Sequence, residues 1–368
     1  MSIPMANLAA QYRAMESEIN SALRGVLESG RFILGENVSS LEEEVAAMCG
    51  AKYGISVASG TDAITISLAA LGIGPGDEVI TTPFTFVATT EAIVMVGARP
   101  VYVDIDPVTF NIDPEQMKKA ITSKTKALLP VHLYGQCAEM DDILEMADNY
   151  GLIVVCDAAQ AIGSAYKGKQ IGMMGDAATL SFFPTKNLGA CGDGGMILMN
   201  DDDAAEKAKS LRFHGMSSSY SYKYVGFCSR LDALQAAILR VKLPKINEWN
   251  EARREHASVY SKVLQGSRIK APVESPGSYH IYHQYTVRTP AREATQAILK
   301  EAGVDSAVYY PEPLHVQDAY TFLGYKEGDF PAAEQASKEV LSIPVHPELT
   351  SDQVSTVADA LSAASEKV

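Results

Sequence analysis

Between residues 53 and 158 the chain repeats one alternation, a short run of apolar residues followed by a longer amphipathic stretch. The runs YGISVA, DEVITT, RPVYVDI, TKALLPVHL and GLIVVCDA have the length and side-chain type of strands. Between them, TDAITISLAALG, ATTEAIVMVG, DPEQMKKAIT and MDDILEMADNYG carry apolar positions at helical spacing. Strands joined through whole helices pair in parallel, so the pattern predicts an α/β fold with a largely parallel sheet covered on its faces. Residues 12–29 read as an N-terminal helix ahead of that sheet.

After about residue 200 the alternation weakens. A long helical stretch at 230–265, interrupted by Pro244, leads into a mixed region in which HQYTVRT is a strand and the last twenty residues form a helix. The expected boundary lies near residue 245, with a large domain over 1–245 and a smaller C-terminal α+β domain over 246–368. No repeat or low-complexity tract interrupts this plan.

Composition narrows the function. The chain is 47% hydrophobic and 21% charged, ordinary for a soluble globular protein. No apolar run is long enough to cross a bilayer, and MSIPMANLAAQYRAM lacks the basic-then-apolar build of a signal peptide. The expectation is a cytoplasmic protein with no membrane partner. Five scattered cysteines, never in a C-x-x-C pair, argue against a disulfide framework and a zinc site, so no metal is expected. A formal net charge of −14 disfavours nucleic acid as a partner. It leaves room for an anionic small molecule, because a few amides and Arg side chains set the field inside a cleft.

Open α/β sheets bind ligands beyond the carboxyl ends of their strands. Three such ends carry chemistry here. Ala58-Ser59-Gly60-Thr61 joins a strand to a helix and offers free amides to an anion, or else is a plain Ser/Thr helix cap. Asp157 closes the strand LIVVC, either facing a cation of a ligand or capping the next helix. Lys186, in SFFPTKNLG, follows an apolar strand and precedes the Gly-rich segment 189–195. It is either a surface lysine with a buried stem or an amine whose charged form is disfavoured, a usable nucleophile and base. A pyridoxal cofactor needs these three things together: a lysine for its aldehyde, an acid for its ring nitrogen and a cup for its phosphate.

With those residues in place the chain resembles the DegT/DnrJ/EryC1/StrS family of nucleotide-sugar aminotransferases along essentially its whole length. The matching stretches are SGTDAI, GDEVITTPFTFVAT, PVYVDIDP, ITSKTKALLPVHLYGQ, CDAAQAIG, SFFPTKNLG, GDGG, SRLDALQAAIL and YYPEPLH. The resemblance implies the fold-type-I aminotransferase architecture with a seven-stranded sheet, pyridoxal 5′-phosphate as cofactor, and a homodimer that shares its active sites. Lys186 matches the Schiff-base lysine, Asp157 the partner of the pyridinium, Gln160 a side chain beside the ring and Phe86 the aromatic stacked on it. Ser181, with the amides of Gly60 and Thr61, matches the phosphate cup. Arg230 matches a residue reaching substrate from the neighbouring subunit, and Tyr309, Tyr310 and His315 of YYPEPLH fall among the substrate contacts.

Two positions depart from the family pattern. Cys228 stands where members usually carry an Asn that reaches the partner's phosphate, and Tyr309 where a His is frequent. LYGQCA, GSAYKGK, SRLDALQAAIL and HQYTVR are most similar to enzymes that aminate UDP-2-acetamido-2-deoxy-3-oxo-glucuronate for lipopolysaccharide O-antigen, with glutamate as donor. The alternatives are a neutral 3-oxo or 4-oxo deoxysugar, and a regulatory or non-aminating relative. Dehydratase relatives replace the Schiff-base lysine, typically with His, and Lys186 argues against them. A nicotinamide enzyme is disfavoured because the first strand–helix turn lacks the glycine fingerprint.

Overall fold

The structure, a computed structural model, describes residues 2–367. Helices α1 (Leu8–Ala14), α2 (Glu16–Ser29) and α3 (Glu36–Cys49) precede strand β1 (Tyr53–Val57). The expected N-terminal helix thus starts earlier, where Asn7 Oδ1 accepts from the Ala10 amide at 3.1 Å, and it breaks at Met15. Then α4 (Gly60–Ala70), β2 (Glu78–Thr81), α5 (Ala88–Met95), β3 (Arg99–Tyr102), α6 (Pro114–Ala120), β4 (Thr125–Leu128), α7 (Met140–Tyr150) and β5 (Ile153–Asp157) alternate as the pattern predicts. Strands β6 (Ala177–Ser181) and β7 (Gly195–Met199) complete a seven-stranded sheet in the order β1-β7-β6-β5-β4-β2-β3. Only β7 runs against the rest, pairing antiparallel with both β1 and β6.

Side chains alternate across this sheet because successive residues of a strand point to opposite faces. Along β5, Val154 and Cys156 join the layer built on Leu41 and Val45 of α3 and Ile143 and Met146 of α7. Val155, between them, joins Ile64 and Leu68 of α4 and Ile93 of α5 on the other face. Covering both faces is what makes these strands read as nearly continuous apolar runs.

Beyond the sheet come α8 (Asp202–Leu211), an exposed two-stranded hairpin (Met216–Ser218 with Ser221–Tyr222), α9 (Ala233–Lys242) and α10 (Ile246–Val263). Pro244 sits in a 3₁₀ turn, Leu243–Lys245, between the last two helices. The C-terminal region holds β8 (Tyr285–Arg288), α11 (Arg292–Glu301), α12 (Pro331–Glu339), β9 (Val340–Ile343) and α13 (Ser351–Lys367), with β8 and β9 antiparallel. Its own core packs Tyr260, Tyr285, Leu299, Leu341 and Leu361, and Ile3 from the start of the chain joins it through a bridge to Val304. Among the described residues no helix is long and apolar enough to cross a membrane.

Candidate active site

The carboxyl ends of β1, β5 and β6 and the amino end of antiparallel β7 share one rim. At β7 the pairing of Gly195 with both Val57 and Ser181 sets the geometry. A Cβ on Gly195 would lie 2.3 Å from the Ser59 carbonyl, so only glycine lets the turn after β1 settle there. Gly60 repeats the argument one step on, since a Cβ there would lie 2.8 Å from Ser181 Cβ. The start of α4 is thereby drawn against Ser181 on β6.

That helix start is built to meet an anion. Ser59 Oγ accepts from the Asp62 amide at 3.0 Å, and the Ser59 carbonyl accepts from the Ala63 amide at 3.0 Å. The Gly60 and Thr61 amides have no acceptor among the described residues. Unpaired amides at the positive end of a helix attract phosphate. Ser229 braces the turn, accepting from the Ala58 amide at 3.0 Å and donating to Asp62 Oδ2 at 2.6 Å. Both readings left open by the sequence therefore hold at once: Ser59 caps the helix, and two amides remain free.

Asp157 ends β5 and is 5% exposed. Thr89 Oγ1 donates to its Oδ2 at 2.7 Å and the Ala159 amide to its Oδ1 at 3.1 Å. Burial raises its carboxyl above the ordinary range, while these two donors and the charge of Lys186 work to hold it ionised. Lys186 lies on the turn after β6, with its amide donating to the Phe183 carbonyl at 2.8 Å. Burial brings its amine down to about 8, against the opposing pull of Asp157. An amine in that range exchanges protons near neutral pH, which an exposed lysine does not.

Gln160 extends the rim. Its Oε1 accepts from the Tyr134 amide at 2.7 Å and its Nε2 donates to the Tyr310 hydroxyl at 3.1 Å. Phe86, 56% exposed, faces the Tyr310 ring at 6.3 Å between centroids, so its ring is open to a ligand rather than buried in the core. The Tyr134 hydroxyl donates to the Tyr309 carbonyl. The rim of the seven-stranded sheet and the YYPEPLH segment are thus hydrogen-bonded together.

Two expected substrate residues sit differently. The buried His315 turns Nε2 to Glu334 at 2.9 Å and packs edge-on against Phe330, inside the C-terminal region. No contact joins it to Lys186 or Asp157 among the described residues. The Arg230 guanidinium lies 5.0 Å over the Phe213 ring and donates to Cys228 Sγ at 3.0 Å, with no carboxylate partner among the described residues.

Sequence reasoning missed Thr89 and Tyr134, which orient Asp157 and Gln160 from distant segments. It also missed a chain of buried polar groups behind Lys186. Its neighbour Asn187 meets His283 Nδ1 at 3.0 Å and donates to Asn250 Oδ1 at 2.7 Å. HQYTVRT was legible as a strand, but nothing local marks its His as a partner of the lysine turn.

Comparison with known proteins agrees with this geometry. The family model described as the DegT/DnrJ/EryC1/StrS aminotransferase family matches residues 13–362. A "Pleiotropic regulatory protein" of Geobacillus stearothermophilus is 54% identical over 98% of this chain and 97% of its own length. The UDP-2-acetamido-2-deoxy-3-oxo-D-glucuronate aminotransferase of Pseudomonas aeruginosa is 45% identical, over 98% of this chain and 99% of that protein. S. venezuelae DesV, solved in complex with a ketimine intermediate, superimposes with a TM-score of 0.98 at 41% identity, covering 100% of this chain and 99% of that one. A "Putative sugar aminotransferase" of Streptococcus pneumoniae, solved in PMP and PLP forms, superimposes with TM-scores of 0.90 and 0.91 at 25% identity, covering 95% and 100% of this chain and 97% and 99% of those chains.

Proposed function

The chain belongs to the DegT/DnrJ/EryC1/StrS aminotransferase family, and on that premise we propose that it moves the amino group of glutamate onto a UDP-linked 3-oxo sugar bearing a C6 carboxylate. It is a pyridoxal-phosphate-dependent nucleotide-sugar aminotransferase of fold type I. The observation that carries the residue assignment is the pairing of a partly buried amine, Lys186, with a buried carboxylate, Asp157, at the ends of adjacent strands.

The residues present suit the cofactor. The free Gly60 and Thr61 amides, with Ser181 beside them, would hold its phosphate. Asp157 would hold its ring nitrogen, Gln160 and Phe86 would flank the ring, and Lys186 would hold the aldehyde. When bound, pyridoxal phosphate supplies that aldehyde and a protonated ring that draws electrons from the carbon being deprotonated. Asp157 keeps a negative charge where a ring N–H needs an acceptor, with Thr89 fixing the other face of the carboxylate. The Lys186 amine would take a proton from the donor's α-carbon in the first half-reaction and deliver one to the former ketone carbon of the sugar in the second.

Arg230 supports the substrate reading. A guanidinium without a carboxylate of its own suits planar carboxylates, and glutamate and a hexuronate could use it in turn. We place it, as the family resemblance implies, at the site of a neighbouring subunit in a homodimer. Tyr309 and Tyr310 would line the sugar site, while His315 is held by Glu334 away from Lys186 and Asp157. The enzyme would serve lipopolysaccharide O-antigen synthesis. The regulatory name of the Geobacillus relative would imply a nucleic-acid or signalling partner, which a net charge of −14 disfavours and which the Lys186–Asp157 pair does not require.

The test compares rates with the 3-oxo-glucuronate and its neutral C6-hydroxymethyl counterpart, for the native protein and Arg230→Ala. A charged fork contact is worth roughly 1.5–3 kcal/mol, so the native preference should be about ten- to a hundredfold and should vanish in Arg230→Ala. Equal use of the neutral sugar by the native protein sinks the uronate reading and leaves a neutral 3-oxo or 4-oxo deoxysugar.

A further inference from the structure

The polar chain behind Lys186 has a direction that its chemistry fixes. It ends on the Ile162 carbonyl, which can only accept, and Asn250 Nδ2 donates to it at 3.1 Å. Asn250 must therefore turn its oxygen the other way, where it accepts from Asn187 Nδ2 at 2.7 Å. Asn187 in turn presents its own oxygen to His283 Nδ1 at 3.0 Å, so that nitrogen must carry a hydrogen. The amide assignments leave no freedom: reversing either one sets a carbonyl against a carbonyl. Asn187, Asn250 and His283 are all buried, so water does not substitute for a missing partner. A Cβ on Gly163 would lie 2.5 Å from Asn250 Nδ2, so Asn250 is also held from behind.

A histidine with hydrogen on Nδ1 is either neutral with a bare Nε2 or a cation. The charged groups facing His283 are Lys186, on the turn after β6, and Arg253 on α10, whose guanidinium donates to the Tyr282 and His283 carbonyls at 3.4 Å. Both are cations, and with burial they hold the imidazole well below its ordinary range. The ring is therefore neutral, with its one lone pair on Nε2.

We propose that His283 is a positioning residue for Lys186: locked as the Nδ1–H tautomer by the Asn187–Asn250–Ile162 chain, it tethers the turn that carries the lysine while itself staying uncharged. The tether joins three segments far apart in sequence, the Lys186 turn, helix α10 and the loop before β8. It rests on the reading of Lys186 given above. A second cation at this place would push the amine's proton off; a neutral ring does not.

Selective ¹⁵N-histidine NMR of the intact protein tests the tautomer, with resonances assigned by His283→Gln and by removing the other histidines one at a time. The His283 ring should show Nδ1 protonated and Nε2 bare, unchanged from about pH 8 to about pH 6, where a free histidine titrates. An Nε2–H tautomer or a titrating ring overturns the proposal without any variant. The second arm measures acylation of Lys186 in the cofactor-free protein by mass spectrometry across pH. His283→Phe, which removes the donor, should slow Lys186 labelling about tenfold at equal thermal stability, whereas His283→Gln, which keeps an N–H, should stay within about threefold. Native labelling in His283→Phe also overturns it. Borohydride reduction of the holoenzyme followed by peptide mapping separates the two claims: a cofactor label on a lysine other than Lys186 would remove the premise, not the tautomer.

Discussion

Asp157 on β5 and Tyr220 in the hairpin between Met216 and Tyr222 stand at opposite extremes of this chain. Asp157 is 5% exposed and accepts two hydrogen bonds, while Tyr220 is 88% exposed and its hydroxyl has no partner among the described residues. The difference extends to their surroundings. Around Asp157 the side chains of Thr89, Gln160 and Tyr310 are held by contacts from their own chain. Around the hairpin, Tyr222 and Val225 lie 55% and 98% exposed, with Arg230 nearby in sequence and free of carboxylates. A rim finished within one chain can be preorganised before any ligand arrives; an apolar edge left open asks for a neighbour. The proposed homodimer supplies that neighbour.

The largest effect should come from breaking the finished region. Lys186→Ala removes the only amine proposed to carry the proton and should cut turnover roughly ten-thousand-fold while leaving the fold intact. In the cofactor-free protein with native sequence, the rate of Lys186 modification should rise with pH to a plateau above about 8, since the neutral amine is the nucleophile. Modification that climbs on toward the ordinary lysine range would show that burial is not acting on this amine.

The open region calls for a mixing experiment. Lys186→Ala and Arg230→Ala subunits, exchanged in equal amounts, form hybrids with one site intact, so roughly a quarter of native activity should return. If subunits exchange but no mixture exceeds its better parent, the sites are not shared, and the exposed hairpin has some other partner.

The smallest effect sharpens the contrast from within the buried part. Burial holds His132 down to about 4 and His280 to about 3, and His283 well below its ordinary value. In the unfolded chain each binds a proton near pH 6.5, so the unfolded state holds more protons and stability falls as pH drops below that point. Each ring contributes a slope of about 1.4 kcal/mol per pH unit until its folded-state value is reached. Denaturant melts of His132→Gln between about pH 6 and about pH 4.5 should show a slope shallower by that amount. An unchanged slope would mean the ring is already charged or solvated in the native protein.

How much of this was legible in the sequence follows the reach of each interaction. Strands β1 to β5 and their helices were visible because alternation is local. Strand β7 was not read, since Gly195–Met199 is apolar at four successive positions after the glycine and buried on both faces, leaving no period to find. Its antiparallel direction has no local signature at all. Asp157 and Lys186 could be picked out because strand ends are marked by where apolar runs stop. Thr89 lies 68 residues from the carboxylate it orients and His283 lies 96 from Asn187, so neither pairing could be seen without the fold. His315 shows the opposite limit. Resemblance put it among substrate contacts, whereas its imidazole is spent on Glu334 and Phe330, a side chain's direction being something a motif does not encode.

The small bridge between Ile3 and Val304 has a consequence for how the molecule is made. The Ile3 amide donates to the Gly303 carbonyl at 2.7 Å, and the Asp305 amide donates back to the Ile3 carbonyl at 3.0 Å. On a ribosome adding about 5–20 residues each second, Ile3 is made about 300 residues before Val304 and waits tens of seconds for its partner. The sheet around Asp157 has all its strands by Met199 and can close during that interval. An early segment is thus seated against a much later one, and the Ile3 side chain stays uncovered, within reach of chaperones, until Val304 and its neighbours are made.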